Sequence, residues 1–168
     1  MPTMKTVQTS RSGVIEVVEV ERPVPGPQDV LMRVRACGIC GTDATFVHLG
    51  GMPTGPDGQS RPIPLGHEPA GEIIEAGAAV TGLKPGDRVV VNPQAAPSGI
   101  IGCGVTIWLK LAGIAHVAVA AVVNTALTSA KWDARLISHR IPFTDVHHAF
   151  QLALTPCAAE KIIVAVGD

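Results

Sequence analysis

Glycine and proline divide the first 92 residues into short segments, and this division most constrains the fold. The chain contains 18 glycines and 14 prolines in 168 residues. Between the turns lie stretches rich in β-branched residues, some of them alternating with charged residues, at 14–20, 30–36, 73–76 and 88–91. Alternation of this kind is typical of half-buried strands. Several short strands with turns at this spacing predict a mainly-β barrel or sandwich.

The stretch after residue 104 is more apolar and has a different pattern. Residues 105–112 predict a helix that Gly113 can cap, and residues 116–123 predict a buried strand. The combined stretch is about as long as a membrane span. Because Lys110 and His116 lie inside it and a charge at the centre of a span is costly, we predict no membrane segment.

The C-terminal region predicts a strand, a helix and a second strand. Thr144 or Asp145 can cap a helix that runs through Leu154, since both side chains accept hydrogen bonds from the first turn. The dipeptide Thr155-Pro156 ends this helix because proline cannot continue it. Residues 161–166 are mostly β-branched and predict a terminal strand. Because a few helices accompany the predicted strands, the expected fold class is α+β overall.

The composition excludes several partners. The formal net charge is -1, aromatic residues make up 3% of the chain, and there is no tyrosine. A nucleic-acid-binding surface needs a basic patch and often stacking aromatics, so we expect no nucleic-acid partner. Four scattered cysteines do not form a secreted disulfide framework, and residues 1–11 contain no apolar signal segment. We therefore expect a cytoplasmic location with free thiols.

Two glycine-rich segments carry residues that bind metals. One contains Cys40, Thr42 and Asp43, and the other contains His67. Catalytic zinc needs three protein ligands and an open position, and cysteine and histidine are its usual ligands. Cys40 and His67 can supply two of the three. Asp43 can accept the other ring N–H of a ligating histidine, and the Thr42 hydroxyl can relay a proton beside the metal.

The spacing by itself leaves other interpretations open. Cys37 and Cys40 form a Cys-x-x-Cys pair, which is compatible with half of a structural zinc site or with a redox pair. No second Cys-x-x-Cys follows, and the pair is not set in a βαβ pattern. An isolated cysteine or histidine is also often a packing residue.

The order of three motifs resembles the zinc-containing medium-chain alcohol dehydrogenases. These motifs are Cys40-Gly41-Thr42-Asp43, Gly66-His67-Glu68-x-x-Gly71 continued by Gly77 and Val80, and Lys84-Pro85-Gly86-Asp87-Arg88-Val89. The resemblance implies a GroES-like, partly open barrel. It also implies that Cys40 and His67 are zinc ligands, that Glu68 lies beside the metal and can swing in as a ligand, that Thr42 relays the proton, and that Asp43 orients the histidine.

The same resemblance implies a nicotinamide-binding domain for which the chain has little room. Its G-x-G-x-x-G loop is absent, because residues 99–104 read G-x-x-G-x-G. We therefore predict a GroES-like catalytic domain over 1–104 plus 133–168, with 105–132 as a vestigial Rossmann fragment. The third zinc ligand stays open among Glu68, Cys37 and Cys103.

The expected function is that of a zinc-dependent oxidoreductase acting on a small alcohol or carbonyl compound. In the intact family, zinc polarises the alcohol oxygen and a hydride passes to NAD(P). We assign no residue to cofactor binding and expect this chain to bind NAD(P) poorly. His48 is a candidate to line the substrate cleft. The alternative is a non-catalytic zinc-binding or structural remnant. We expect residues 105–123 to promote a homo-oligomer or aggregation, because a covering sheet is lacking.

Overall fold

The computed structural model describes residues 2–10, 13–53, 59–91, 108–112, 117–119 and 137–166. The strands are β1 (Thr3–Thr9), β2 (Ile15–Glu21), β3 (Asp29–Ile39), β4 (Met52–Pro53), β5 (Ser60–Arg61), β6 (Glu68–Ala76), β7 (Arg88–Val91), β8 (Trp108–Ala112), β9 (Val117–Val119), β10 (His139–Pro142) and β11 (Ile162–Ala165). The α-helices are α1 (Gly41–Leu49) and α2 (Val146–Leu154), the second preceded by a 3₁₀ turn at Phe143–Asp145.

Strand β3 organises the larger sheet. The hydrogen-bonded order is β10-β11-β3-β6-β7-β9, and β8 also pairs with β3. One edge of β3 pairs with β6 along most of its length. The other edge is shared, because β8 pairs with residues 29–33 and β11 pairs with residues 36–39. The long strand thus joins the N-terminal half of the chain to its C-terminal end.

Two register shifts interrupt the β3–β6 ladder. The second shift lies between Val34 and Ala36, where two β3 residues face one residue of β6. Before it, Val34 packs in one hydrophobic cluster; after it, Cys37 packs in another. The extra residue interrupts the alternation of side chains along β3, so the cluster residues are even-numbered before it (Val30, Met32, Val34) and odd-numbered after it (Cys37, Ile39).

The larger hydrophobic cluster collects residues from both ends of the chain. Val7 comes from β1, Cys37 from β3, Phe150 from α2 and Val164 from β11, and all four side chains are fully buried. The β1–β2 hairpin is antiparallel, and β1 contacts the segment before β6 through the bond from Leu65 N to the Val7 carbonyl (2.9 Å). This cluster supports the end of β3, from which the candidate site begins.

The mainly-β prediction is confirmed, with two α-helices in the described ranges. The strands at 14–20, 30–36, 73–76 and 88–91 are all present, and β3 and β6 extend beyond their predicted bounds. The path from β10 to β9 stays open across the part of the chain that is described. The C-terminal strand and helix also agree in position, since α2 begins after Asp145 and ends at Leu154. The expected cap bond is not formed by the N-cap residue, because the Asp145 side chain makes no hydrogen bond to the first turn.

The predicted helix over 105–112 is wrong where it can be examined. Residues 108–112 form strand β8, which pairs antiparallel with the open edge of β3. Without β8, the backbone N–H and C=O groups along this edge of β3 would lack partners, and pairing with β8 supplies them. Residues 117–119 form β9, within the predicted strand at 116–123. The remaining residues of both predicted elements lie outside the described ranges.

The proposed boundary between a catalytic domain and a vestigial fragment stays a prediction, as does self-association through 105–123. Among the described residues, no helix combines the length and the apolar character needed to span a membrane.

Candidate metal centre

Cys40 lies where β3 ends and α1 begins. Its backbone is extended (φ −103°, ψ 161°), and it is the N-cap residue of α1. The glycine that follows, Gly41, is the first helical residue. The N-terminus of a helix leaves backbone N–H groups without helical partners and is favourable for negative charge. A ligand that binds metal as a thiolate therefore lies at a suitable end of this helix.

Asp43 joins the two segments that carry the candidate ligands. Its Oδ2 accepts a hydrogen bond from the backbone N–H of Cys40 (2.9 Å). Its Oδ1 accepts one from the backbone N–H of Gly66 (2.7 Å), which is 23 positions later in the chain. The residue is 1% exposed. A buried carboxylate with two backbone donors is stabilised in place, so Asp43 fixes Cys40 relative to the turn that carries His67.

His67 follows a turn in which Gly66 has a positive φ of 89°. Its side chain is 10% exposed, and its Nδ1 lies 3.4 Å from Asp43 Oδ1. This Nδ1 is buried and makes no hydrogen bond to any group that the structure describes. A ring nitrogen beside a carboxylate is positioned to be the protonated one, which leaves the other nitrogen as a lone-pair donor.

The potential ligand atoms of Cys40, His67 and Glu68 converge. All three lie within 4.8 Å of one another. A tetrahedral zinc ion with its usual bond lengths places sulfur, nitrogen and oxygen ligands about 3.4–3.6 Å apart. Small side-chain movements are enough to reach that spacing, and a cysteine, a histidine and a carboxylate form a chemically suitable zinc donor set. The orphaned Nδ1 of His67 fits the same interpretation, since metal binding would fix its ring against Asp43.

Glu68 also contacts a positive charge from the C-terminal end of the chain. Lys161 Nζ donates to Glu68 Oε2 and to the Ile39 carbonyl (3.3 Å for the latter). Glu68 and Lys161 are partly exposed, with 36% and 32% of their side-chain surfaces accessible. The carboxylate therefore faces both the candidate metal position and an ammonium group.

The other predicted site residues lie in different parts of the structure. The Thr42 hydroxyl lies 3.8 Å from Sγ of Cys40, one of the three ligand candidates. His48 is exposed in the last turn of α1, eight residues from Cys40, which corresponds to about 12 Å along the helix axis. Cys37 is buried in the hydrophobic cluster, and Cys103 lies outside the described residues. Cys37 and Cys40 are both free thiols.

Sequence reasoning missed Lys161 as a site residue. It was visible only as the first residue of a predicted terminal strand. The local sequence around Lys161 does not indicate that it contacts Glu68. The two residues are 93 positions apart, and only strand pairing brings them together.

Comparison with known proteins places the chain in a family. The family model for the alcohol dehydrogenase GroES-like domain matches residues 26–130. Sorbitol dehydrogenase of Gallus gallus is 41% identical over 87 residues, which cover 52% of this chain and 24% of that enzyme. The chain therefore belongs to the alcohol dehydrogenase GroES-like domain family. This confirms the resemblance to the zinc-dependent medium-chain alcohol dehydrogenases, which are oxidoreductases.

Solved structures show the same fold. An Escherichia coli oxidoreductase/dehydrogenase of unknown specificity superposes with a TM-score of 0.80 at 14% identity, covering 99% of this chain and 100% of that chain. A Sinorhizobium meliloti protein bound to NADP gives a TM-score of 0.56 at 31% identity, covering 71% of this chain and 39% of that chain. The matches to the first curated relatives span between 20% and 24% of those relatives' lengths.

Proposed function

We propose that this chain is the zinc-binding catalytic domain of an alcohol dehydrogenase, with Cys40, His67 and Glu68 as its protein ligands. The observation that carries the proposal is the convergence of their ligand atoms within 4.8 Å. The substrate is a small alcohol or the corresponding carbonyl compound. Sorbitol is the first alcohol to test, since a polyol dehydrogenase is among the relatives.

In this proposal, three residues bind the metal and Asp43 positions one of them. Cys40, His67 and Glu68 would hold the ion, and the bound metal would supply Lewis-acid chemistry at the substrate oxygen. Asp43 holds the His67 ring so that one nitrogen faces the metal and the other faces the carboxylate.

Thr42 is the proposed group for moving the proton. Its hydroxyl lies 3.8 Å from Sγ of Cys40, a proposed metal ligand, and this contact supports a role beside a metal-bound substrate. A hydroxyl can accept the proton of a bound alcohol while donating its own to water, so it relays charge without becoming charged itself. His48 is too far along α1 to take part directly. Its proposed role is limited to the rim of the cleft.

A zinc-binding module without turnover is the second candidate. The sequence contains no G-x-G-x-x-G loop, which is the element that places a cofactor pyrophosphate at a helix N-terminus. We propose that NAD(P) binding by this chain is weak for that reason. A cytoplasmic location, in which Cys40 would stay reduced, also remains a proposal.

Metal analysis tests the proposed site. After removal of bound metal with a chelator, the protein should take up one equivalent of zinc. Cobalt in its place should give a thiolate-to-cobalt absorption band. The Cys40→Ser variant should lose this band, and Cys157→Ser is the matched control because Cys157 is an exposed free thiol. Retention of stoichiometric zinc and of the cobalt band in Cys40→Ser would contradict the proposed ligand set.

A nicotinamide titration then separates the two candidates. Zinc binding together with cofactor binding and sorbitol oxidation favours the dehydrogenase. Stoichiometric zinc without either favours the non-catalytic module. The Thr42→Val variant should keep its zinc and lose any alcohol oxidation, because it removes the relay hydroxyl and retains the side-chain volume.

A further inference from the structure

The Glu68 carboxylate is held by an ammonium group whose own position is well defined. Lys161 Nζ donates to Glu68 Oε2, and the same Nζ lies 3.3 Å from the Ile39 carbonyl oxygen, to which it also donates. Ile39 immediately precedes Cys40. The lysine is therefore anchored to the backbone beside one candidate ligand while it binds the side chain of another.

A glycine makes room for this contact. Gly38 pairs with Glu68 across the β3–β6 ladder and with Ile163 across the β3–β11 ladder. A Cβ atom added at Gly38 would overlap Glu68 Oε2 and would lie 3.1 Å from Lys161 Cε. Glu68 and Lys161 thus meet over a backbone position at which a larger residue would force the carboxylate to move.

The main chain of Lys161 is fixed by Ser138. The Ser138 Oγ accepts hydrogen bonds from the backbone N–H groups of Glu160 (3.0 Å) and Lys161 (3.2 Å). It also donates to the Lys161 carbonyl (3.1 Å), and the Ser138 backbone N–H donates to the same carbonyl (2.9 Å). These bonds hold the lysine at the start of β11, on the same side of β3 as the candidate metal position.

We infer that Lys161 is a positioning residue that competes with the metal for the Glu68 carboxylate. The inference rests on the metal site proposed above. An ammonium group and a zinc ion are both cations, so a carboxylate engaged by one is a poorer ligand for the other. Without Lys161, Glu68 would be free to bind the metal alone.

The solvent exposure of Glu68 and Lys161 limits how strongly Lys161 can weaken zinc binding. With about a third of each side chain accessible, the ion pair is screened by water and is weak enough to break. The contact between Glu68 and Lys161 can therefore break when a metal competes for the carboxylate.

Zinc affinity of the full chain, measured by competition with a chromogenic chelator, tests the inference. Lys161→Met should tighten zinc binding by about 2- to 5-fold, the range expected for a partly exposed ion pair. Lys161→Arg should stay near the parent value because it keeps the charge. Lys84→Met is the control, since Lys84 lies in an exposed turn outside the site. It should change the affinity by less than about 1.5-fold, because exposed charges at a distance are screened.

A double-mutant cycle shows whether the effect acts through Glu68. In the Glu68→Gln background, Lys161→Met should no longer tighten zinc binding. An equal gain in both backgrounds would show simple charge repulsion and would overturn the inference. In the Gly38→Ala background the effect of Lys161→Met should be smaller, because the added Cβ displaces the Glu68 carboxylate. This second background keeps the test available if Glu68→Gln binds zinc too weakly.

The two proposals fail in different ways. If the parent protein binds no zinc, both the metal site and the role of Lys161 are refuted. If the parent binds zinc through Cys40 but Lys161→Met binds it equally or more weakly, the metal site stands and the competition does not.

Discussion

The Asp43 carboxylate contacts groups from two segments that are distant in sequence. Cys40 and Gly66 donate their backbone N–H groups to it, and His67 lies beside it. A buried carboxylate with such partners has two separable effects. It stabilises the fold by satisfying buried donors, and it orients the ring that is proposed to bind zinc.

Asp43→Ala should therefore lower both stability and metal affinity. Loss of two charge-assisted hydrogen bonds should cost about 2–4 kcal/mol in the free energy of unfolding, measured by urea denaturation. Zinc affinity should fall about 10- to 100-fold, as is usual when the partner of a ligating histidine is removed.

Asp87→Ala is the matched control for this change. Asp87 Oδ2 accepts the same type of bond, from the backbone N–H three residues earlier (Lys84, 2.9 Å), but in an exposed turn. Water can replace that acceptor, so the loss should stay below about 1 kcal/mol, with zinc affinity unchanged. Equal losses in the two variants would contradict the role given to Asp43.

At the scale of elements, the close approach of β6 to β3 explains one glycine of the dehydrogenase motif. A Cβ at Gly71 would overlap the carbonyl oxygen of Arg33 and lie 2.9 Å from its carbonyl carbon. This contact is beside the second register shift of the β3–β6 ladder. Gly71 thus allows the close approach of β6 to β3, the two strands whose ends lie next to His67 and Cys40 in the chain.

Gly71→Ala should destabilise the protein by about 2–3 kcal/mol, because the clash is with backbone that cannot move aside easily. Gly41→Ala is the control. Nothing lies within 4 Å of a Cβ added there, and the residue begins α1. Gly41→Ala should raise the free energy of unfolding by at most about 1 kcal/mol, since alanine is the better helix former. Thermal or urea unfolding distinguishes the two, and a neutral Gly71→Ala would refute the steric argument.

At the scale of the whole molecule, the core closes only when both ends of the chain are present. Phe150 from α2 is fully buried in the cluster that also contains Val7 and Cys37. The same C-terminal region brings β11, and with it Lys161, to the edge of β3. The candidate site therefore depends on residues that are more than 120 positions apart.

Phe150→Ala should remove about 3–5 kcal/mol of stability, because it leaves a cavity in that cluster. This is a large part of the 5–15 kcal/mol typical of a domain. Leu154→Ala on the same helix is the control, since Leu154 is 43% exposed, and its cost should stay below about 1 kcal/mol. If Phe150→Ala and Leu154→Ala had similar midpoints of urea unfolding, α2 would not be part of the cooperative core.

The sequence by itself determined the class of the fold, the family and the principal candidate ligands. Short β-branched segments between turns predicted the strands because alternation and turn residues act locally. The motifs around Cys40 and His67 predicted the candidate ligands through their resemblance to the zinc-containing alcohol dehydrogenases, and their ligand atoms converge in the structure. Thr42 and Asp43 followed from the same motif, and the structure places both beside Cys40.

Only the tertiary structure decided features that depend on pairing between distant strands. Residues 108–112 form a strand because the edge of β3 offers backbone partners, which a local pattern cannot show. Lys161 reaches Glu68 because β11 and β6 flank β3 on its two edges, with Gly38 between them. Both results come from hydrogen-bond registers between segments far apart in the chain, and such registers are fixed only when the whole sheet has formed.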